Sequence, residues 1–438
     1  MTPKILILSE TFKSNSGGGI TLSNLFKDYP KSCLANAADE KELIKVTSNE
    51  ICNNFYSLGS NEKKVIRLFS FLQKKSYSGK FVYKSQEKKE LLDIRKQWSL
   101  RATFVNYFFS FLNIIGIYHL LFRYEISDCL EKWIIDFNPD YIYTQLSNRE
   151  LINFTTKLTN LTGARLALHI MDDWPSTISK NGLFKHYWQK KIDCEFRGLI
   201  AKADILMSIS EGMSVEYKKR YKKDFIPFHN PIEISKWNPY SKFDLLVNHD
   251  NINILYAGRI GLGTSESVVE IAEAIEELKF EGLKITFQIQ TTSISTKLKN
   301  KLSKFSCVVF NPIVQYSELP KIFSAADVLV MPIDFTKKGI AFLRYSMPTK
   351  ASEYMISGTP ILVYADPSVS LIDHAQNYGW ASVVVENNIK TLKLEILNII
   401  NNIDLRLSLS TAAINHAISN YDSKYVRRMF MRQFSKYK

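Results

Sequence analysis

Ile252-Asn253-Ile254-Leu255-Tyr256-Ala257-Gly258-Arg259-Ile260-Gly261-Leu262-Gly263 is the stretch that decides how this chain folds. A short apolar run passes directly into a glycine-rich loop, and residues 268–278 beyond it carry helical spacing. That is the form of a buried parallel strand followed by its crossover helix. The same rhythm repeats outward. On the C-terminal side, 285–288, 308–310, 328–331, 361–364 and 381–385 read as strands and 392–400 as a helix. On the N-terminal side, 5–8, 141–144, 165–171, 205–209 and 225–228 read as strands. Short apolar runs alternating with amphipathic stretches indicate α/β architecture with parallel sheets. The polar, turn-rich segment 229–250 divides the chain, so the pattern is present twice.

The whole composition agrees with a globular protein. The chain has 438 residues, 45% hydrophobic and 23% charged, which excludes a disordered or fibrous class. A net charge of +14 favours an anionic partner, whether nucleic acid, a membrane surface or a phosphorylated small molecule. Five scattered cysteines, none in C-x-x-C spacing, suggest neither a disulfide framework nor a zinc site and point to a reducing cytoplasm. The start, Met1-Thr2-Pro3-Lys4-Ile5-Leu6-Ile7-Leu8, has too short an apolar run for a signal peptide and reads as the first strand.

The basic excess is concentrated. Residues 62–101 contain twelve Lys or Arg against four acids, with aromatic residues interleaved. Residues 104–122 follow without a formal charge, nominally long enough to cross a bilayer. Three readings stand side by side for this run: a buried core helix, a helix lying in the membrane interface, and a true span. The basic stretch has a plainer reading as a solvated helical face. It lacks any recognised nucleic-acid module, so nucleic acid is not expected as a partner.

Four motifs carry possible chemistry. Ser16-Gly17-Gly18-Gly19 lies between the first strand and a helical stretch, where bare backbone amides can approach a ligand, although a tight turn also explains it. Gly258-Arg259 brings a guanidinium to a glycine-rich loop, with Thr264 or Ser265 expected to cap the next helix. Lys350 and Glu353, three apart on a short helix that ends at Gly358, share a face suited to a phosphate and a ribose, or form a simple ion pair. His169-Ile170-Met171-Asp172-Asp173-Trp174-Pro175 ends a strand, a common place for substrate contacts in open α/β sheets. No ligand set for a metal is evident there.

Gly258-Arg259, the run Ala325-Ala326-Asp327-Val328-Leu329-Val330-Met331-Pro332, and Glu353-Tyr354-Met355-Ile356-Ser357-Gly358-Thr359-Pro360-Ile361 stand in the order and spacing of the GT-B glycosyltransferases. The closest resemblance is to family 4, the group 1 enzymes of bacterial polysaccharide biosynthesis. The N-terminal glycine loop, 169–175 and Asn230-Pro231-Ile232 also fall where that family places its motifs. The resemblance covers most of the chain except about 61–132. It implies two Rossmann-like parallel-sheet domains facing a central cleft: an acceptor-side domain 1–232 with an insertion near 61–132, a linker 233–250, a donor domain 251–414, and a C-terminal helix 415–438 returning to the first domain.

The resemblance further implies a nucleotide-diphosphate sugar of UDP or GDP type as donor, with no resident cofactor and no metal. Arg259 would pair with the diphosphate and Glu353 with the ribose. Gly17, Gly18, Gly19 and Gly258 would approach the phosphates or sugar, and His169 would lie near the donor sugar. Two departures stand out. The lysine that follows Gly-Arg in the family is absent, and Lys350 is the candidate to supply its charge. The family's first glutamate, eight positions before Glu353, is Tyr345, so residues 342–346, Tyr345 and Ser346 included, would take over that contact.

Retention is expected, with the leaving diphosphate accepting the acceptor's proton. His169, Asp172, Arg259 and Lys350 are the candidate catalytic residues; an inverting enzyme would use Asp172 or Asp173 as general base. The acceptor is expected to be saccharide on a lipid, at the inner face of an anionic cytoplasmic membrane. A 2-epimerase acting on nucleotide sugars and a catalytically silent membrane-surface scaffold are the alternatives.

Overall fold

The computed structural model describes residues 2–435 apart from 14–15, 47–48, 67–68, 70–72, 74, 83–107, 109–110, 113, 117 and 179–181. Most of the basic stretch and part of the uncharged run therefore lie outside the described residues.

The chain divides into two compact units. Unit 1 comprises 1–209, 217–227 and 430–438; unit 2 comprises 210–216 and 228–429. Residues 233–250, expected as a linker, are packed into unit 2. Lys242 Nζ donates to Ala326 O at 2.6 Å, and the buried Arg406 donates to Leu245 O at 2.7 Å.

Unit 1 holds β1 (Ile5–Leu8), β2 (Leu34–Ala38), β3 (Phe55–Ser57), β4 (Lys63–Val65), β5 (Gly79–Phe81), β6 (Phe122–Tyr124), β7 (Tyr141–Thr144), β8 (Arg165–Ile170), β9 (Ile205–Ser208) and β10 (Ile226–Pro227). Its main sheet runs β10-β9-β8-β7-β1-β2-β3-β5, parallel except at β5. β1 and β7 are buried along their whole length, so an unbroken apolar run serves as a strand covered on both faces. β4 and β6 form a separate antiparallel ribbon.

Unit 2 holds β11 (Ile252–Ala257), β12 (Ile285–Gln290), β13 (Val308–Phe310), β14 (Val328–Pro332), β15 (Ile361–Tyr364) and β16 (Ser382–Val384) in the order β13-β12-β11-β14-β15-β16, all parallel. Side chains alternate across this sheet. Val328 and Val330 enter a core with the helix Ser265–Phe280, whereas Leu329 and Met331 enter another with Tyr354, Met355 and Trp380. In both units the strand order reverses beside the first strand, the doubly wound arrangement whose ligands sit beyond the carboxyl ends at the reversal.

Within 104–122 the described residues interrupt a helix. Gly116 takes φ +73°, a left-handed conformation that ends a helix, and β6 begins at Phe122. Among the described residues no helix is long and apolar enough to cross a membrane. The final helix, Ser423–Ser435, carries Phe430 to 5.0 Å from the Phe26 ring and Phe434 to 5.2 Å from Tyr141, so its last turns complete the core of unit 1.

Candidate active site

The reversal in unit 2 lies between β11 and β14. The helix Lys350–Ser357 grips the last residue of β11: Lys350 Nζ donates to Ala257 O at 2.8 Å, and Tyr354 Oη accepts from Ala257 N at 2.8 Å. Lys350 and Glu353 form no direct ion pair. The ammonium stands 3.9 Å from the Tyr256 ring centroid and 5.7 Å from that of Tyr354, cation–π contacts that replace part of its hydration. Burial lowers the Lys350 pKa to about 7, opposed by the Glu353 carboxylate. The next residue, Gly258, has φ +147°, and a Cβ there would lie 2.9 Å from Lys350 Nζ. The positive φ calls for glycine, and a side chain there would also push the Lys350 ammonium aside.

Glu353 is buried, and Tyr316 Oη donates to its Oε1 at 2.6 Å. Burial raises its pKa to about 7, with the Tyr316 hydrogen bond and Lys350 acting the other way. Arg259 is exposed, and no hydrogen bond or ion pair engages its guanidinium among the described residues. Such a group is open to bidentate pairing with a phosphate. Tyr256 Oη meanwhile fixes the loop by donating to Arg259 O at 2.7 Å.

Thr264 occupies the N-cap position of the helix Ser265–Phe280, but neither it nor Ser265 provides the capping bond. Asp334, beyond the end of β14, does so instead: its Oδ1 accepts from Glu266 N and Ser267 N, each at 2.9 Å. Asp334 N also donates to Gly263 O at 2.8 Å, so one buried residue fixes both the loop and the helix end. Asn230 braces the Lys350 helix, donating to Thr349 O at 3.2 Å while its own carbonyl accepts from Ser352 Oγ at 3.0 Å. His229 Nε2 approaches Pro348 O at 3.3 Å. Tyr345 and Ser346 precede this helix, with the Tyr345 carbonyl accepting from Ser210 Oγ at 2.6 Å.

The structure thus gathers Gly258, Lys350 and Glu353, with Arg259 on the same loop. Tyr256, Tyr316, Tyr354 and Asp334 belong with them, though nothing in their spacing had singled them out. Asp334 follows a strand with no helix of its own to cap, and Tyr316 lies 37 residues from its partner.

In unit 1, Gly17 is exposed at the start of the helix Gly17–Phe26, and Ser16 Oγ accepts from Gly19 N at 3.1 Å. A Cβ on Gly18 would lie 2.7 Å from Gln145 Oε1, and one on Gly19 would collide with the Lys13 side chain. His169 is fully buried, its Nδ1 2.7 Å from Tyr143 Oη, which in turn accepts from Gln145 Nε2 at 3.2 Å. A direct sugar contact needs surface that His169 lacks here. Asp172 is half-buried in the bend after β8. Asp173 is committed to structure: Arg220 pairs with both its oxygens, and Tyr217 and Ser176 donate to them. This constellation leaves Asp173 poorly placed to act as a general base.

Residues 251–402 match the model of the family described as "Glycosyl transferases group 1". Over 99% of its length the chain resembles sucrose-phosphate synthase from Thermosynechococcus elongatus, at 12% identity, 98% coverage of that chain and TM-score 0.63. It also resembles HepE of Anabaena, solved in complex with UDP and glucose, at 11% identity, 99% coverage of each chain and TM-score 0.62. A third is the UDP-forming α,α-trehalose-phosphate synthase from Burkholderia xenovorans, solved with glucose-6-phosphate, at 12% identity, 99% coverage of this chain, 100% of that one and TM-score 0.61. No curated protein sequence matches the chain. The fold is that of the GT-B glycosyltransferases, and the match to the group 1 model lies within unit 2.

Proposed function

We propose that this glycosyltransferase moves a sugar from a nucleotide-diphosphate sugar of UDP or GDP type to a saccharide on a lipid carrier, with retention, in surface-polysaccharide synthesis. The observation that carries the donor reading is the Lys350 helix at the strand-order reversal of unit 2. There a half-buried ammonium and a buried carboxylate stand three residues apart beside a loop whose Arg259 guanidinium has no hydrogen-bond or ion-pair partner among the described residues. A cation pair suits a diphosphate, and a carboxylate suits a ribose diol.

The bond between the anomeric carbon and the diphosphate breaks while one to the acceptor oxygen forms on the same face. The acceptor's hydroxyl proton passes to the departing diphosphate oxygen, so no side-chain base is needed. Arg259 and Lys350 offset the charge that develops on the leaving group, the kind of contact whose loss costs about 10²–10³ in rate. Asp172 orients the acceptor. His169 acts from below, positioning Tyr143 and Gln145.

The lipid-carrier reading rests on the twelve cations against four acids within 62–101, which suit the anionic inner face of the cytoplasmic membrane. A thermal-shift panel of nucleotide sugars tests the donor. A ligand at 100 times its Kd stabilises by about 2.7 kcal/mol, and Arg259→Ala should abolish the shift. Anomeric analysis of the product tests retention, and donor consumption without acceptor would replace transfer by 2-epimerisation.

A further inference from the structure

Two segments of unit 1 about seventy residues apart in sequence meet at the surface and leave large apolar side chains in water. Leu183 N donates to Ile114 O at 2.8 Å, and the Trp188 indole donates to Gly116 O at 2.6 Å. Trp188 is the buried anchor, with the His119 ring at 5.0 Å and the Arg149 guanidinium at 5.1 Å from its ring centroid. Gly116 makes the approach possible, because a Cβ there would lie 3.0 Å from both Phe184 Cβ and Trp188 Nε1.

Above this anchor the side chains turn outward. Phe111 is 54% exposed, Ile114 55%, Leu183 76%, Phe184 56% and Tyr187 57%. Scattered apolar residues on a surface need no explanation, but five large ones on two segments joined by hydrogen bonds do. Their neighbours are basic. Residues 182–191 contain Lys185, Lys190 and Lys191 and no acid, and Lys185 and Lys190 are exposed with no ion-pair partner among the described residues. Residues 111–121 contain no acid either.

We propose that Phe111, Ile114, Leu183, Phe184 and Tyr187 form the surface by which unit 1 seats on an anionic lipid bilayer, with Lys185 and Lys190 at the headgroups. This rests on the lipid-carrier reading above and extends it to 182–191, which lies outside both the basic stretch and the uncharged run. Aromatic and aliphatic side chains flanked by lysines match the chemistry of a bilayer interface, apolar within and negative at its surface. A second copy of this chain would set the same lysines against each other, so charge complementarity favours lipid.

Flotation of the full chain with vesicles of phosphatidylglycerol and phosphatidylcholine, against phosphatidylcholine alone, tests the assignment. The protein should float with the anionic vesicles and be released as salt rises. Leu183→Ser combined with Phe184→Ser should lower partitioning about tenfold or more, and Lys185→Glu with Lys190→Glu should weaken the preference for anionic lipid severalfold, the cations of 62–101 supplying the rest. Both variants should keep the thermal shift given by UDP. If wild type and variants float alike, this surface is wrong while the lipid-carrier reading stands. Wild type that does not float at all overturns both. A dimer in size exclusion that the serine variant splits, without flotation, assigns the patch to a second copy and also overturns the proposal.

Discussion

Lys350 and Glu353 place two titrations of opposite sense near neutrality, at about 7 each, because burial disfavours both charged forms. A diphosphate needs the ammonium, present below that value; a ribose diol needs the carboxylate, present above it. Donor affinity measured by calorimetry from pH 5.5 to 9 should therefore peak near neutrality. Glu353→Gln should remove the acidic limb and Lys350→Met the alkaline one, whereas a flat profile would contradict these roles. Two histidines give a second pH dependence. Burial lowers His229 to about 4 and His374 to about 3, so both are neutral in the folded state at neutral pH. An unfolded histidine titrates near 6.5, so their contribution is complete above that pH and is lost progressively as pH falls toward 4, by up to about 1.4 kcal/mol per histidine per pH unit. Urea unfolding at pH 7.5 and 5.5 should show the loss, reduced in His374→Gln. Asp173→Ala should cost about 1–3 kcal/mol, because it removes the buried carboxylate to which Arg220, Tyr217 and Ser176 donate.

Among elements, the helix Ser265–Phe280 depends on a residue outside it. Asp334→Ala removes both amide contacts and should cost about 1–2 kcal/mol in unfolding stability. It should also raise the donor KM more than it lowers kcat, since the Gly258–Gly263 loop is held by the same residue. Equal effects on the two would point to a role confined to folding. The strands of unit 2 were legible nearly residue for residue, because β11, β14 and β15 are apolar runs bounded by glycine, proline or polar residues. β2 was not. Its sequence, Leu34-Ala35-Asn36-Ala37-Ala38, has no β-branched residue, and it is a strand because β1 and β3 pair with it on either side. Lys350, Glu353 and Gly258 were legible as chemistry within short motifs. Asp334 and Tyr316 were not, since a cap or hydrogen bond delivered from a distant segment leaves no local pattern. The break within the 104–122 run was not legible either, since lack of charge says nothing about the turn at Gly116.

At the scale of the whole chain, the last turns of the final helix belong to the core of the first-made unit. Phe430 and Phe434 are buried against Phe26, Tyr141 and Tyr143. Removing residues 430–438 should therefore destabilise unit 1 by about 3–5 kcal/mol or more per lost phenylalanine. The measurement is protease resistance of unit 1 in the truncated chain, with Phe430→Ala as the milder variant; unchanged resistance would show that the core closes without them. The arrangement also sets an order of events during synthesis. Unit 1 is almost wholly translated by residue 227, but its sheet waits for residues that emerge only after the roughly two hundred of unit 2. At about 5–20 residues per second that delay is on the order of 10–40 s. Until then Phe26, Tyr141 and Tyr143 lack the rings that cover them, and the emergence of residues 430–438, rather than completion of residues 1–227, is the moment at which that core can close.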